Sequence, residues 1–269
     1  MNRGCCIFAF DGNIDYGPQA VLAADLVKKH LNIPVSLITD FLTLEKIDTT
    51  IFDKTIITEA GNSNNSRVLC GESIAFKNTN RNKIYDLTPY DRTLLIDSDF
   101  LVFSNRLKEY LDSGYNFMIC ENMKDLCPNR GGSSFSFSPQ SLHMLWATNI
   151  IFDKTPENKI LFDLVDHIRE NWTWYGTLYQ FDTRRFRNDY AFTVACHIMG
   201  GFGTEKYYIA LPSPVLFNDR DSLVKITKNG LTWVAGDQNI LIKTAGQDIH
   251  MMNKIELLEN LDSLGTLHD

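Results

Sequence analysis

Short apolar runs alternate along this chain with longer stretches whose apolar residues recur at helical spacing. Residues 5–10, CCIFAF, are an unbroken apolar run of the kind a strand buried on both faces requires. Residues 17–31, GPQAVLAADLVKKHL, follow as a helix with Pro18 near its start. Residues 33–40, IPVSLITD, read as the next strand, and this β–α–β opening predicts a parallel sheet. Residues 54–58 predict a third strand and residues 61–66, GNSNNS, a polar loop. Beyond them 93–97 (TLLID), 100–103 (FLVF) and 115–120 (YNFMIC) are further strand-like runs.

The alternation continues in the second half. Residues 127–139, CPNRGGSSFSFSP, combine Pro, Gly and Ser and predict a mobile loop or lid. Residues 146–153 read as a strand, and Thr155 followed by Pro156 caps a helix in which Ile160, Leu161, Leu164, Val165 and Ile168 recur at helical spacing. Residues 172–187 are aromatic, basic and irregular, whereas 188–199 predict a helix that starts at Asn188 or Asp189. Asn229-Gly230, between two alternating stretches over 223–234, predicts a type I′ hairpin. A last strand over 248–252 precedes a C-terminal helix, no internal repeat is present, and the class is α/β.

Length and composition narrow this picture. The chain has 269 residues and is 44% hydrophobic, enough for one large α/β domain or two small ones with a proper core. Its formal charge of −7 argues against wrapping nucleic acid by bulk electrostatics, so an anionic ligand must be held locally. The first apolar stretch is broken by Asp11 and too short for a secretion signal, and no run of about 18 apolar residues occurs. The expectation is a cytoplasmic protein with no membrane span. The six cysteines, Cys5, Cys6, Cys70, Cys120, Cys127 and Cys196, form no CxxC pair, which predicts buried free thiols rather than a zinc site or disulfides.

Candidate chemistry concentrates in RTLLIDSDFLVF, residues 92–103. Asp97 and Asp99 share a strand face by their i, i+2 relation and stand at the carboxyl end of the strand, where parallel α/β sheets bind ligands. Two like charges this close repel unless water screens them or a cation sits between them, so the pair is either a solvated turn or a metal site. Asp219-Arg220-Asp221 repeats the spacing, but the arginine between the acids predicts a surface turn.

The wider segment YDLTPYDRTLLIDSDFLVF resembles the core signature of glycogenin and the related bacterial galactosyl- and glucosyltransferases of the GT-A fold. Leu87, Thr88 and Tyr90 lead into the apolar strand and then into Asp97-Ser98-Asp99. The stretch FAFDGNIDYGPQAVLAADLVKKH is similar to the family's first strand, asparagine, tyrosine and Ala-rich helix, which implies that Asn13 and Tyr16 lie at the nucleoside. Arg81 falls where the family has a basic residue facing the donor; in plain terms it is a loop cation beside Lys83. DIHMMNK resembles the family's His-x-x-Gly motif, whose histidine is a metal ligand and whose later lysine meets the diphosphate. His250 matches, Asn253 replaces the glycine, and Lys254 comes two residues early. Asparagine is the best non-glycine residue for a left-handed backbone, which is the expectation at Asn253. Asp189 matches the aspartate of an Asp-Gln-Gly motif on the acceptor side, with Tyr190 and Ala191 replacing its last two residues; read alone, Asp189 is a helix N-cap.

The resemblance implies a Rossmann-like GT-A fold over residues 1–269, a mixed, mostly parallel central sheet flanked by helices. Residues 1–125 would form the nucleotide-sugar half and 126–269 the acceptor half. It implies a metal-dependent enzyme that moves a sugar from a nucleotide-diphosphate sugar, a UDP-sugar. Asp97, Asp99 and His250 would hold Mn²⁺ (or Mg²⁺), with the imidazole favouring Mn²⁺. Asn13, Tyr16, Arg81, Ser98 and Lys254 would hold the donor, and Asp189 would act beside the two metal-binding aspartates in catalysis. Trp172, Trp174, Tyr175, Tyr179 and Phe181 beside Arg184, Arg185 and Arg187 can stack sugars or bases, so saccharide, protein, lipid-linked and nucleic-acid acceptors (a hydroxylated base) all fit. Alternatively they are a packed aromatic loop with a solvated basic rim. Two other classes share features: a haloacid-dehalogenase-type phosphohydrolase, which expects Thr or Val where Leu101 stands and a later acidic pair the chain lacks, and a non-catalytic sugar-binding module.

Overall fold

A computed structural model describes residues 2–61, 65–69, 72–128, 130, 135–137, 141–203 and 205–261. In chain order the elements are β1 (Arg3–Ala9), α1 (Tyr16–Leu31), β2 (Val35–Thr39), α2 (Phe41–Leu44), β3 (Lys54–Ile57), β4 (Ser66–Leu69) and β5 (Glu72–Ala75). A 3₁₀ turn at Arg81–Lys83 leads to α3 (Ile84–Leu87), β6 (Arg92–Asp97), β7 (Phe100–Leu101), α4 (Arg106–Leu111), β8 (Phe117–Cys120) and β9 (Trp146–Asp153). There follow α5 (Pro156–Glu170), α6 (Trp172–Tyr179), α7 (Asn188–Met199), β10 (Ile209–Leu211), β11 (Val215–Phe217), β12 (Ser222–Thr227), β13 (Gly230–Ala235), β14 (Ile240–Lys243), β15 (Ile249–Met251) and α8 (Lys254–Glu259).

Seven strands make the central sheet in the order β10-β8-β9-β6-β1-β2-β3. All neighbours run parallel except β9, which is antiparallel to both β6 and β8, so the sheet is mixed and mostly parallel as expected. The unbroken apolar runs are explained by cover on both faces. Cys6, Phe8, Leu95, Ile150 and Phe152 point to one side, against α5 and α7. Cys5, Ile7, Leu94, Ile96 and Ile151 point to the other, against the alanines of α1 and against α4. Neighbouring residues thus fill opposite layers, as the two-residue period of a strand demands. Each large apolar side chain so buried contributes about 1.5–3 kcal/mol.

Local chemistry fixes the ends of these elements. Thr155 accepts the N–H of Asn158 and caps α5 as predicted, and α1 stops at Asn32, which takes the left-handed conformation (φ 55°). The Thr88 and Tyr90 side chains serve the fold. The Thr88 hydroxyl meets the Thr93 hydroxyl at 2.6 Å, and the Tyr90 hydroxyl meets Ser36 Oγ at 2.8 Å. The Tyr90 ring lies so close over Gly4 that a Cβ there would sit 2.3 Å from it. Together these contacts set the start of β6 against β1 and β2.

Several expectations change. Residues 172–179 form a helix: Trp172 packs on Phe181 at 4.5 Å and Phe186 at 4.8 Å, and this tertiary contact overrides a sequence without helical periodicity. The hairpin over 223–234 is present, but its loop is Lys228-Asn229 and neither residue has a positive φ, so the turn is not type I′. It extends through β14 into a three-stranded meander. Backbone pairing between Ser66–Leu69 and Glu72–Ala75 makes a hairpin beyond the predicted polar loop. Asp221 is not on a surface turn: it is 1% exposed and takes Arg130 at 2.5 Å and 3.2 Å. Arg130 also reaches Asp237 at 3.0 Å, which anchors the one described residue between 129 and 134; most of the predicted lid lies outside the described residues. Cys5, Cys6, Cys120, Cys127 and Cys196 are free and buried, and Cys70 lies outside the described residues. No helix among the described residues is long and apolar enough to cross a membrane.

Candidate active site

Strands β1 and β6 run parallel in adjacent positions with Phe8 opposite Asp97, so the chain leaves both strands at the same edge of the sheet. Asp97 is the last residue of β6, Ser98 and Asp99 turn, and β7 then pairs antiparallel with β15 so that Phe100 faces His250. The N–H of Met251 donates to the carbonyl of Asp99 at 2.9 Å and holds this turn against β15. One ligating atom from each of Asp97, Asp99 and His250 lies within 4.8 Å of the others, although His250 is some 150 residues away in sequence.

Burial and fixed cations set the electrostatics. The Asp99 and His250 side chains are 5% and 6% exposed, whereas Asp97 is 30% exposed and opens to solvent. Arg81, itself buried, donates to Asp97 Oδ1 and, at 3.4 Å, to the carbonyl of Thr148. Lys254 Nζ sits 2.5 Å from Asp99 Oδ2, while Asp99 Oδ1 faces His250 Nδ1 at 3.8 Å. The Thr148 hydroxyl shares a 2.9 Å hydrogen bond with His250 Nδ1, and the Trp146 ring stands edge-on to the imidazole, so the ring is held in place. Burial lowers the His250 pKa below its ordinary value, against the pull of Asp99 and Asp97, which keeps the imidazole neutral. Two carboxylates with a neutral, oriented imidazole are the donor set a hard-to-borderline divalent cation takes, and the residues present fit such an ion.

A small pocket opens beside these groups, walled by Phe8, Phe10, Tyr16 and Phe76 and carrying Lys77 and Asn78. Of the residues singled out in the sequence, Tyr16, Asp97, Ser98, Asp99 and Lys254 line it together, and Arg81 and His250 join through the two aspartates. A roomier groove lies between α1 and the β12–β13 hairpin, but its walls are largely apolar and no metal-ligating cluster among the described residues lies in it.

Other sequence-selected residues sit elsewhere. Asn13 is exposed, and its side chain accepts the N–H of Ala75 at 3.3 Å, tying the β1–α1 loop to β5. Asp189 is not the N-cap of α7, a position held by Arg187; its Oδ1 accepts the N–H of Ala147 at 2.9 Å and its Oδ2 pairs with Arg187 at 3.1 Å. It thus fixes the start of β9 one residue from Trp146. Asn253 is not left-handed (φ −80°): its side chain accepts the N–H of Glu256 and caps α8, and that cap places Lys254 as the first helical residue. Trp172 and Phe181 pack with Tyr190, and Arg187 lies over the Tyr190 ring at 5.0 Å. Arg184 is bound to Asp182. The aromatic segment is chiefly packing, and Trp174 is its most exposed ring. The sequence reading missed Lys77, a lone loop lysine with no periodic signal around it.

No family model and no curated protein matches the chain. Solved structures do. The apo-form glycosyltransferase GlyE of Streptococcus pneumoniae TIGR4 is 16% identical over 79% of this chain, with a TM-score of 0.43, and the match spans 46% of GlyE, less than half of its length. The galactosyltransferase LgtC, in complex with donor and acceptor sugar analogs, is 11% identical over 71% of this chain and 69% of its own, with a TM-score of 0.47. Mouse xyloside xylosyltransferase 1 in its apo form is 12% identical over 78% of this chain and 85% of its own, with a TM-score of 0.45. Each of these three solved structures, to which the chain is similar over most of its own length, is of a glycosyltransferase.

Proposed function

We propose that the chain is a metal-dependent glycosyltransferase that takes a sugar from a nucleotide-diphosphate sugar, a UDP-sugar, and passes it to an acceptor hydroxyl. The observation that carries this reading is the meeting of Asp97, Asp99 and His250 within 4.8 Å at the edge of a pocket that also holds Tyr16 and Lys254. Mn²⁺ or Mg²⁺, held by these three side chains, supplies Lewis-acid stabilisation of the departing diphosphate.

The chain's own residues do the rest. Tyr16 and Phe76 offer flat apolar walls for a nucleoside, and Ser98 lies between the two aspartates. Asn13 takes part through the loop it ties down. Arg81 and Lys254 place fixed positive charge where the bond between the anomeric carbon and the diphosphate oxygen breaks, which favours charge build-up on the leaving group. The acceptor oxygen forms the new bond to that carbon, and its proton passes to an oxygen of the departing diphosphate. Asp189, beside Trp146, would orient the transferred sugar or the acceptor. The donor is therefore held by residues of the 1–125 half together with His250 and Lys254 of the 126–269 half. With Arg187 paired to Asp189 and most of the aromatic rings packed, a saccharide or protein hydroxyl suits the acceptor side better than a nucleic acid.

Thermal stabilisation by a panel of nucleotide sugars with and without Mn²⁺ tests the reading. A UDP-sugar should raise Tm only with metal present, by an amount that grows with ligand concentration. Slow metal-dependent hydrolysis of that donor should accompany it. Turnover of phosphomonoesters instead would point to a phosphohydrolase, and stabilisation by sugars without nucleotide to a binding module.

A further inference from the structure

Three cations stand at the donor pocket, and they are not alike. Arg81 is paired with Asp97 and Lys254 with Asp99. Lys77 lines the same pocket, yet among the described residues no carboxylate lies within ion-pair distance of it. Its ammonium donates to the backbone carbonyl of Asp11, a neutral acceptor at the end of β1. The Asp11 carboxylate itself is turned away, onto the N–H of Gly17 at 2.8 Å and toward Lys46 at 3.6 Å. An ammonium has three donors, and a carbonyl uses one.

The backbone around Lys77 is pinned from several sides. Its carbonyl accepts the N–H groups of Gly61 and Thr79 at 2.8 and 2.9 Å, and the N–H of Phe76 donates to the carbonyl of Asn65 at 2.7 Å. Asn188 holds the carbonyl of Asn78 at 2.8 Å. The side chain passes over Gly12, where a Cβ would lie in ordinary van der Waals contact with Lys77 Cε at 3.5 Å. A rigidly mounted cation without a countercharge, facing a concave site, is a preformed place for an anion.

We propose that Lys77 is a donor-binding residue that takes a phosphate oxygen of the nucleotide, beside the turn that follows β1, in addition to the charge supplied by Arg81 and Lys254. This rests on the glycosyltransferase reading above. Arg81 and Lys254 already have carboxylate partners, so among the described residues of the pocket Lys77 is the cation for which a diphosphate would be the first countercharge. A lysine suits this role because it acts as a point charge and needs no bidentate geometry.

The test measures binding of UDP, uridine and inorganic pyrophosphate, each with Mn²⁺, by calorimetry on the wild-type chain, on Lys77→Met, which keeps the aliphatic stem over Gly12, and on Lys77→Arg. The expected result is a loss of about 10 to 100-fold in UDP affinity for the methionine variant, the range of a hydrogen bond to a charged group, with pyrophosphate falling likewise. Uridine and Mn²⁺ alone should bind as in wild type, and Lys77→Arg should recover most of the UDP affinity. Should the methionine variant fail to fold, Lys77→Gln carries the same expectation. UDP affinity within twofold of wild type in the methionine or glutamine variant overturns the proposal while leaving the transferase reading standing. A fall in uridine affinity equal to that for UDP also overturns it, because the contact would then be to the nucleoside. A wild-type chain that binds neither UDP nor pyrophosphate overturns both.

Discussion

Strand β6 carries a buried ion pair at its first residue and others at its far end, and the two ends are built differently. Arg92 faces Asp153 across the β6–β9 ladder and grips it with two hydrogen bonds of 2.5 and 2.9 Å. Its remaining donors go to the carbonyls of Leu111, at 3.0 Å, Ser113, and Tyr115, at 2.7 Å. At the other end Asp97 and Asp99 take Arg81 and Lys254, but Arg81 Nε is buried with no hydrogen-bond partner among the described residues, and Asp97 opens into a pocket. Both ends bear the cost of desolvating charge. Only the first spends its hydrogen-bonding capacity within the fold. A spare donor at Arg81, an imidazole drawn alongside and an opening to solvent mark the second as a place where something else binds.

The largest effect that would break this comparison comes from the open end. Asp97→Asn or Asp99→Asn should abolish transfer and Mn²⁺-dependent donor binding, measured by product formation and metal titration. Asp99→Asn should also lower stability, because it strands Lys254, whereas Asp97, being part-exposed, should cost less. Full activity of either variant in chelator would remove the metal site from the mechanism. At the closed end the pattern should reverse. Arg92→Met leaves Asp153 buried without its partner and should cost about 3–5 kcal/mol of unfolding free energy in urea. Turnover per folded molecule and metal affinity should hold, and a change in either would mean that the two ends are coupled through the strand.

His250 sharpens the contrast with a smaller effect. Removing its imidazole in His250→Ala should weaken Mn²⁺ binding about 10 to 100-fold or shift the metal preference. An unchanged titration would make it a packing residue beside Trp146.

Much of this was legible from residue order because the signals were local. Strands buried on both faces announce themselves as apolar runs, and Asp97 and Asp99 were marked by their position at the end of such a run. His250 and Lys254 needed the resemblance, since nothing in a linear sequence says that β15 pairs with β7. Asn253 does not stand in for a glycine by taking a left-handed backbone, as its residue type suggests; it caps α8. Asp189 misled because an acid at a helix start has a cheap local role, and only the tertiary fold brings the N–H of Ala147 within reach. Helix α6 was hidden because its inward residues are aromatic rings that gain from packing rather than from propensity. Lys77 carried no signal at all, since what distinguishes it is the lack of a countercharge among its spatial neighbours.

Asp11 offers the smallest and most discriminating test, because it lies two residues beyond β1, the strand beside β6, and is a buried carboxylate with a weak partner. It is 4% exposed, and the Lys46 ammonium 3.6 Å away is itself half in solvent. Burial raises its pKa above the ordinary 3.8, outweighing the N–H of Gly17, which pulls it down; Asp15 adds to the rise. A carboxyl whose folded pKa is raised binds more protons in the folded chain than in the unfolded one. Its contribution to stability is therefore fully present below pH 3.8 and is lost as pH climbs through the folded value. Asp11→Asn keeps an oxygen for the N–H of Gly17 and removes the ionisation, so relative to wild type it should gain stability as pH rises from about 3 to 7, a drift of order 1 kcal/mol or less. Urea midpoints of the two proteins across that range measure it. A difference that stays flat, or that drifts the other way, would mean that Lys46 compensates the charge after all, and that Asp11 belongs with the closed pair at Arg92 rather than with the open carboxylates of the pocket.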